Sequence, residues 1–278
     1  MTSETHFPPL VILAATDMSP ASVRAMGYAR LFDELFGAAT AVLHSRYFDM
    51  PPYFTQSQTR TLLNELKKSR KAAEAQVAEM ASKALGFKPK TFIVEKPPVD
   101  AILKTAADLD ADLLVIGTHG KTGLKKLWLG SVAENVLRLS DRPVLAVGPR
   151  AGKPALRRIL APVGWGETGS QSRDYAVALA QAAGAHLILL NAAEGGRRDG
   201  ACPWSRDEIE KRCEFSEVQD ASHPVESILR AARERKADLI VMGAQKTPSF
   251  IGSLFSSTTE RVMRLTEAPL LLVPRAVE

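Results

Sequence analysis

The chain has 278 residues, of which 45% are hydrophobic and 24% charged, with a formal net charge of +5. That length suits two domains of ordinary size, and the composition is that of a globular protein with no apolar run long enough to span a bilayer. Basic residues alternate with acids along what read as helix faces, as between Lys67 and Glu79, which argues against a nucleic-acid-binding stripe.

A continuous apolar run from Leu10 to Thr16 reads as a strand covered on both faces. A helix from about Ser19 to Phe36 follows, then strand Thr40 to Ser45, a loop broken by Pro51 and Pro52, and an alanine-rich amphipathic helix from about Thr59 to Leu85 that stops at Gly86. Strand Thr91 to Val94, helix Val99 to Leu109, strand Asp112 to Ile116, a glycine-containing loop, helix Ser131 to Leu139 and strand Pro143 to Val147 complete the first half. Strands alternating with helices predict a doubly wound α/β architecture with a mostly parallel sheet.

The order restarts at Arg157, after a Gly, Lys and Pro linker at Gly152 to Pro154, which divides the chain into 1–150 and 151–278. From Pro98 to Val147 each residue pairs without a gap with one 126 places later, so that Asp112 falls on Asp238, Glu134 on Glu260 and Pro143 on Pro269. Nearer the start of each half the offset is 147, with Tyr28 on Tyr175 and Gly37 on Gly184; the second half is therefore 21 residues shorter in between, where the long second helix would lie. Two tandem five-stranded sheets are expected, the second without that helix. Each copy would cover the other's sheet edge as an internal pseudo-dimer, through neighbouring last strands.

The chemistry concentrates in Gly117-Thr-His-Gly120, followed after nine intervening residues by Gly130-Ser131. An open parallel sheet binds ligands beyond the carboxyl ends of its strands, where this segment falls. Gly117 and Gly120 present no side chain and let backbone approach an anion. Gly130 and Ser131 open a helix whose first amides lack internal partners and whose dipole is positive there, which suits a phosphate; the Ser131 hydroxyl adds a donor. Lys125 and Lys126 are placed to screen a polyphosphate, with Leu127, Trp128 and Leu129 folding over it; alternatively the lysines are solvated and the apolar residues are core. After the first strand, Asp17 offers a carboxylate to ribose hydroxyls or a base, with Ser19 the better cap for the next helix.

With this strand, loop and helix context, the tract from Ile116 to Leu137 and the closing Arg142-Pro-Val-Leu-Ala-Val resemble the universal stress protein family, whose nucleotide-binding members carry Gly-x2-Gly-x9-Gly-(Ser/Thr). The resemblance covers both halves, as in a tandem member, and implies an adenine nucleotide α-hydrolase-like fold. It also implies that Ala15, Thr16, Asp17 and Ser45 frame adenine and ribose, while Gly117, Gly120, Gly130, Ser131 and Val132 hold the phosphates of ATP. Asp17 is also placed to recruit magnesium through phosphate. The second half departs from the pattern: Asp17 becomes Gly164, Gly120 becomes Lys246 and Gly130 becomes Ser256, which argues for nucleotide in the first half alone.

His119 is the one candidate acid or base in the loop, without a visible partner to orient it; His44 reads as packed, and His6, His186 and His223 as surface or turn. Cys202 and Cys213 form no CxxC pair and read as plain thiols. The chain lacks a Gly-x4-Gly-Lys-(Ser/Thr) loop and a Gly-x-Gly-x-x-Gly after its first strand. Three readings stand: an ATP-binding regulatory protein that signals by conformation to a protein partner, a slow ATPase using Lys125 or Lys126 and His119, and a nucleotide-free interaction protein. Met1 to Pro9 lacks the order of a secretory signal, so the cytoplasm is the expected compartment.

Overall fold

A computed structural model describes residues 7–47, 53, 55–118, 129–162, 170–191, 209–219, 223–244 and 257–274. The first half comprises β1 (Val11–Thr16), α1 (Pro20–Phe36), β2 (Ala39–Ser45), α2 (Gln56–Leu85), β3 (Lys90–Val94), α3 (Pro98–Asp108), β4 (Leu113–Gly117), α4 (Ser131–Leu139) and β5 (Val144–Val147). The second comprises β6 (Arg158–Pro162), α5 (Ser170–Ala183), β7 (His186–Asn191), β8 (Phe215–Gln219), α6 (Pro224–Glu234), β9 (Leu239–Ala244), α7 (Ser257–Leu265) and β10 (Leu270–Pro274). The β2-to-β3 connection runs from 46 to 89 and the β7-to-β8 connection from 192 to 214, which is 21 residues shorter, as the repeat requires.

Local signals explain the ends. Ser19 caps α1, its side chain accepting from the Ser22 N–H, with Pro20 at the first helical position. Gly37 closes α1 at φ 65° and its repeat partner Gly184 closes α5 at φ 60°, a left-handed conformation that glycine adopts without a Cβ clash. α2 begins at Gln56 rather than near Thr59, because Thr55 and Gln58 form a reciprocal capping box.

The two expected sheets are one. The strand order is β3-β2-β1-β4-β5-β10-β9-β6-β7-β8, and the described pairings are parallel except at β5 with β10. There Leu145 pairs with Leu271, its own repeat counterpart, while Val144 pairs with Leu272 and Ala146 with Leu270. A residue opposite its own copy marks a local two-fold axis, so the seam is isologous and buries the edge that each five-stranded unit would expose.

Alternate residues of each strand feed two cores. Ile12 and Ala14 pack with α1, α2 and α5 on one face, while Leu13 packs with α3, α4, α6 and α7 on the other. Asp112 ties β1 into register: one carboxylate oxygen accepts the N–H groups of Leu10 (2.8 Å) and Val11 (2.9 Å), and Asp238 does the same for Arg157 and Arg158.

Over the seam, Glu134, Arg138, Glu260 and Arg264 form a cross-half network, with Arg264 donating to both Glu134 (3.2 Å) and Glu260 (3.1 Å). All four side chains are less than a third exposed. Arg264→Ala leaves Arg138 alone to serve both carboxylates and is expected to lower stability by about 1 kcal/mol in denaturant unfolding.

On the opposite face Tyr28 and Tyr175 exchange halves in their surroundings. Burial and then the charge of Asp238 push the Tyr28 phenol up to about 12, and burial and then Asp112 push the Tyr175 phenol up as well. Both phenols stay neutral in the folded chain after they would ionise unfolded. The associated stability is therefore full below pH ~10 and is lost as pH rises toward ~12. An alkaline titration followed together by phenolate absorbance and circular dichroism should show ionisation of Tyr175 coinciding with unfolding.

Candidate functional site

At the carboxyl ends of β1 and β4, where the crossovers diverge to opposite sides, a cavity of about 380 Å³ opens. Of the ten residues singled out from the sequence, Ala15, Thr16, Asp17, Ser45, Gly117, Gly130, Ser131 and Val132 line it. Gly120 and Lys126 lie outside the described residues, as do His119, Lys125 and Trp128. The volume falls within the range of small-molecule sites. Leu43, Ile102 and Ile116 supply an apolar slot, and Asp17 and the amino end of α4 supply polarity.

The turn from β1 to α1 is held by its own side chains. Thr16 Oγ1 accepts from the Met18 N–H (2.9 Å) and contacts Ser22 Oγ (2.8 Å), and Asp17 Oδ1 accepts from the Ser19 N–H (2.9 Å). Asp17 is therefore not spared by Ser19's capping of α1, as the sequence reading expected; part of its carboxylate stabilises the turn. Met18 sits at φ 64°, a left-handed conformation costly for a side chain of its kind, and the three surrounding hydrogen bonds enforce it. His44 is buried beside this turn, its Nδ1 donating to the Thr16 carbonyl (2.7 Å), in line with the packed role expected of it. His186 opens β7 and meets Ser216 Oγ (3.1 Å), a strand position rather than a turn.

Gly117 lines the cavity and also makes room for the packing behind it. A Cβ there would stand 2.8 Å from the Ser22 nitrogen and 2.9 Å from the Ala21 carbonyl carbon, so the missing side chain lets α1 press its first turn against the end of β4. The next residue, Thr118, donates its N–H to Val147 (3.0 Å) and accepts from the Gly130 N–H (2.7 Å). That last bond joins two residues that both line the cavity.

Ser131 does not cap α4. The cap position belongs to Gly130, at φ −64° and ψ 142°, with no side-chain cap bond, and Ser131 is the first helical residue. Gly130 offers no oxygen to the amides of Ser131, Val132 and Ala133, which leaves the positive end of the helix to the cavity. Leu129 is 7% exposed and belongs to the core, as one of its two readings had it. The hydroxyl of Ser45 is committed to the Lys96 carbonyl (2.7 Å).

Thr118, Ser22, Pro98 and Ile102 also line the cavity and were not singled out from the sequence. Pro97-Pro98 at the start of α3 was the available signal, since the start of that helix faces the same edge of the sheet as the start of α4. In the second half, the segments 163–169 and 245–256, with Gly164, Lys246 and Ser256, lie outside the described residues, and so does Cys202. Burial raises the Cys213 thiol and makes it a weak nucleophile.

A doubly wound sheet with a crevice over its switch point and an uncovered helix start in that crevice defines an open α/β protein of the nucleotide-fold class. The universal stress protein family profile matches residues 10–148 and 205–274, and the chain belongs to that family. Two universal stress proteins of Methanocaldococcus jannaschii are similar to it, each 33% identical; one aligns over 150 residues, covering 49% of this chain and 93% of its own, the other over 139 residues, covering 49% and 80%. A solved universal stress protein from Archaeoglobus fulgidus matches the fold over 96% of both chains, with a TM-score of 0.74 at 22% identity. Both halves thus share the architecture of that family, and among the described residues no helix is long and apolar enough to cross a membrane.

Proposed function

We propose that residues 1–150 form a domain that binds one ATP in the cavity between β1 and β4, and that residues 151–278 form a domain that has lost this site. The observation that carries the reading is the uncapped amino end of α4 facing a cavity whose other wall holds Asp17. Adenine suits the apolar slot of Leu43, Ile102 and Ile116; the Asp17 carboxylate suits ribose hydroxyls; the amides of Ser131 and Val132 suit phosphate oxygens. Gly120 and Lys126 complete the phosphate end, and magnesium joins through the phosphates.

At offset 147, Thr16, Asp17, Ser19 and Ser22 become Val163, Gly164, Gly166 and Gly169, so the side chains that hold the first turn have no counterparts in the second half. This supports one nucleotide per chain. The output is conformational: bound nucleotide alters a surface read by a protein partner in the cytoplasm, alone or as a homodimer.

The test is to denature freshly purified protein and identify the nucleotide released. About one equivalent of ATP is expected, with little from Gly130→Val or Asp17→Ala. ADP accumulating on incubation would instead favour a slow ATPase, and an empty eluate with no binding by calorimetry would sink the assignment. Added ATP at about 100 times its Kd should stabilise the wild-type chain by about 2.7 kcal/mol and Gly130→Val by much less.

A further inference from the structure

A second cavity, of about 570 Å³, lies where the linker between the halves crosses the amino ends of β9 and β10. Its charged lining is Arg150, Lys153, Arg233 and Lys236 against Asp238 and Glu267. The two acids are engaged: Glu267 pairs with Arg150 across the rim, and Asp238 accepts from the Arg157 and Arg158 amides. Among the described residues no acid pairs with Lys153, Arg233 or Lys236. Tyr28, Leu229 and Leu265 give the cavity an apolar wall.

The internal repeat shows why the space exists. In the first half the matching place is filled by Arg142, whose guanidinium donates to the Ala111 carbonyl (2.5 Å) and to Asp110 (3.1 Å), with its side chain 12% exposed. At offset 126, Arg142 becomes Ala268, Asp110 becomes Lys236 and Ala107 becomes Arg233. The plug is removed, and the acid that held it is replaced by a base on the same backbone, φ 49° at Asp110 and 52° at Lys236. Arg233 and Lys236 also complement the negative end of α6, but Arg150, at the end of the first half, and Lys153, in the linker, serve no helix terminus.

We infer that this cavity is a binding site for a small organic anion, a carboxylate or phosphate attached to an apolar body. The anionic group meets Lys153, Arg233 and Lys236, and the body lies against Tyr28, Leu229 and Leu265. The volume is that of a small-molecule site rather than a polymer groove. Because Tyr28 and Arg150 come from the first half and Lys153 from the linker, while α6, α7 and the turns before β9 and β10 supply the rest, an occupant bridges the two halves, on the same edge of the sheet as the site proposed for ATP, since β10 starts beside the end of β5.

The test uses the fluorescence of anilinonaphthalene sulfonate, with uncharged anilinonaphthalene as the control, on the full chain in excess ATP and again in a Gly130→Val background. The first cavity is the same in the wild type and in the second-cavity variants, so its contribution cancels between them, and failure of the ATP reading and failure of this one are distinguishable. Saturable binding of the sulfonate that weakens with salt is expected. The double variant Ala268→Arg/Lys236→Asp copies the first-half plug and should weaken that binding by about tenfold or more with an unchanged thermal transition. Lys153→Glu, at an exposed linker position, should weaken it in the same direction should the plugged chain not fold. Equal affinity in Lys153→Glu, or equal affinity for the uncharged control, would overturn the assignment.

Discussion

Gly117→Val is expected to cost about 3 kcal/mol or more in denaturant unfolding and to empty the nucleotide site together with it. The atoms that a Cβ would meet are backbone, at 2.8 and 2.9 Å, not the yielding tip of a side chain. Relief requires α1 to move off the end of β4, which would displace Ser22 and with it the Thr16 hydroxyl that fixes the Met18 turn. Gly117→Ala should show the same two effects in smaller measure. The informative comparison is with Gly130→Val, whose backbone lies in a region open to any residue: it should lose nucleotide with little loss of stability in the nucleotide-free chain.

Leu271→Ala is expected to cost about 3 kcal/mol, because Leu271 is fully buried at the seam opposite Leu145, itself fully buried. Leu145→Ala should cost a comparable amount, since the two positions are related by the local two-fold axis. The double variant should depart from the sum of the two by at least about 0.5 kcal/mol, as expected of residues in contact. Hydrogen exchange should show the loss of protection concentrated in β5 and β10, with β2 and β7 less affected.

Much of this architecture is legible in residue spacing. The continuous apolar runs locate the strands because both faces of the sheet are covered, and the gapless 126-residue offset through Leu145 and Leu271 places equivalent last strands against one another. The cavity was legible to the extent that glycines and a helix start mark a strand's carboxyl end: eight of the ten anticipated residues line it. What each residue does there was less accessible. Gly117 reads as a phosphate-facing glycine, and its further part in making room for α1 stays hidden, because a motif after β4 does not announce a helix that packs from about a hundred residues away. Asp17 reads as spare once Ser19 is assigned as the cap, because a one-letter pattern does not show that a carboxylate can accept from the cap residue's own amide. The space at Ala268 is invisible without its copy, since an alanine becomes a missing plug only beside Arg142 in its socket.

The antiparallel seam between β5 and β10 has a consequence for dilution and for divergence. Two separate chains joined by such an edge would part as their concentration fell, whereas here the partner edge is tethered by a short linker and pairing is independent of how much protein is present. A substitution in a symmetric dimer strikes both copies at once. In this chain it strikes one, so the second half can carry alanine where the first has Arg142 and glycine where the first has Asp17 while still supplying the strand that completes the first.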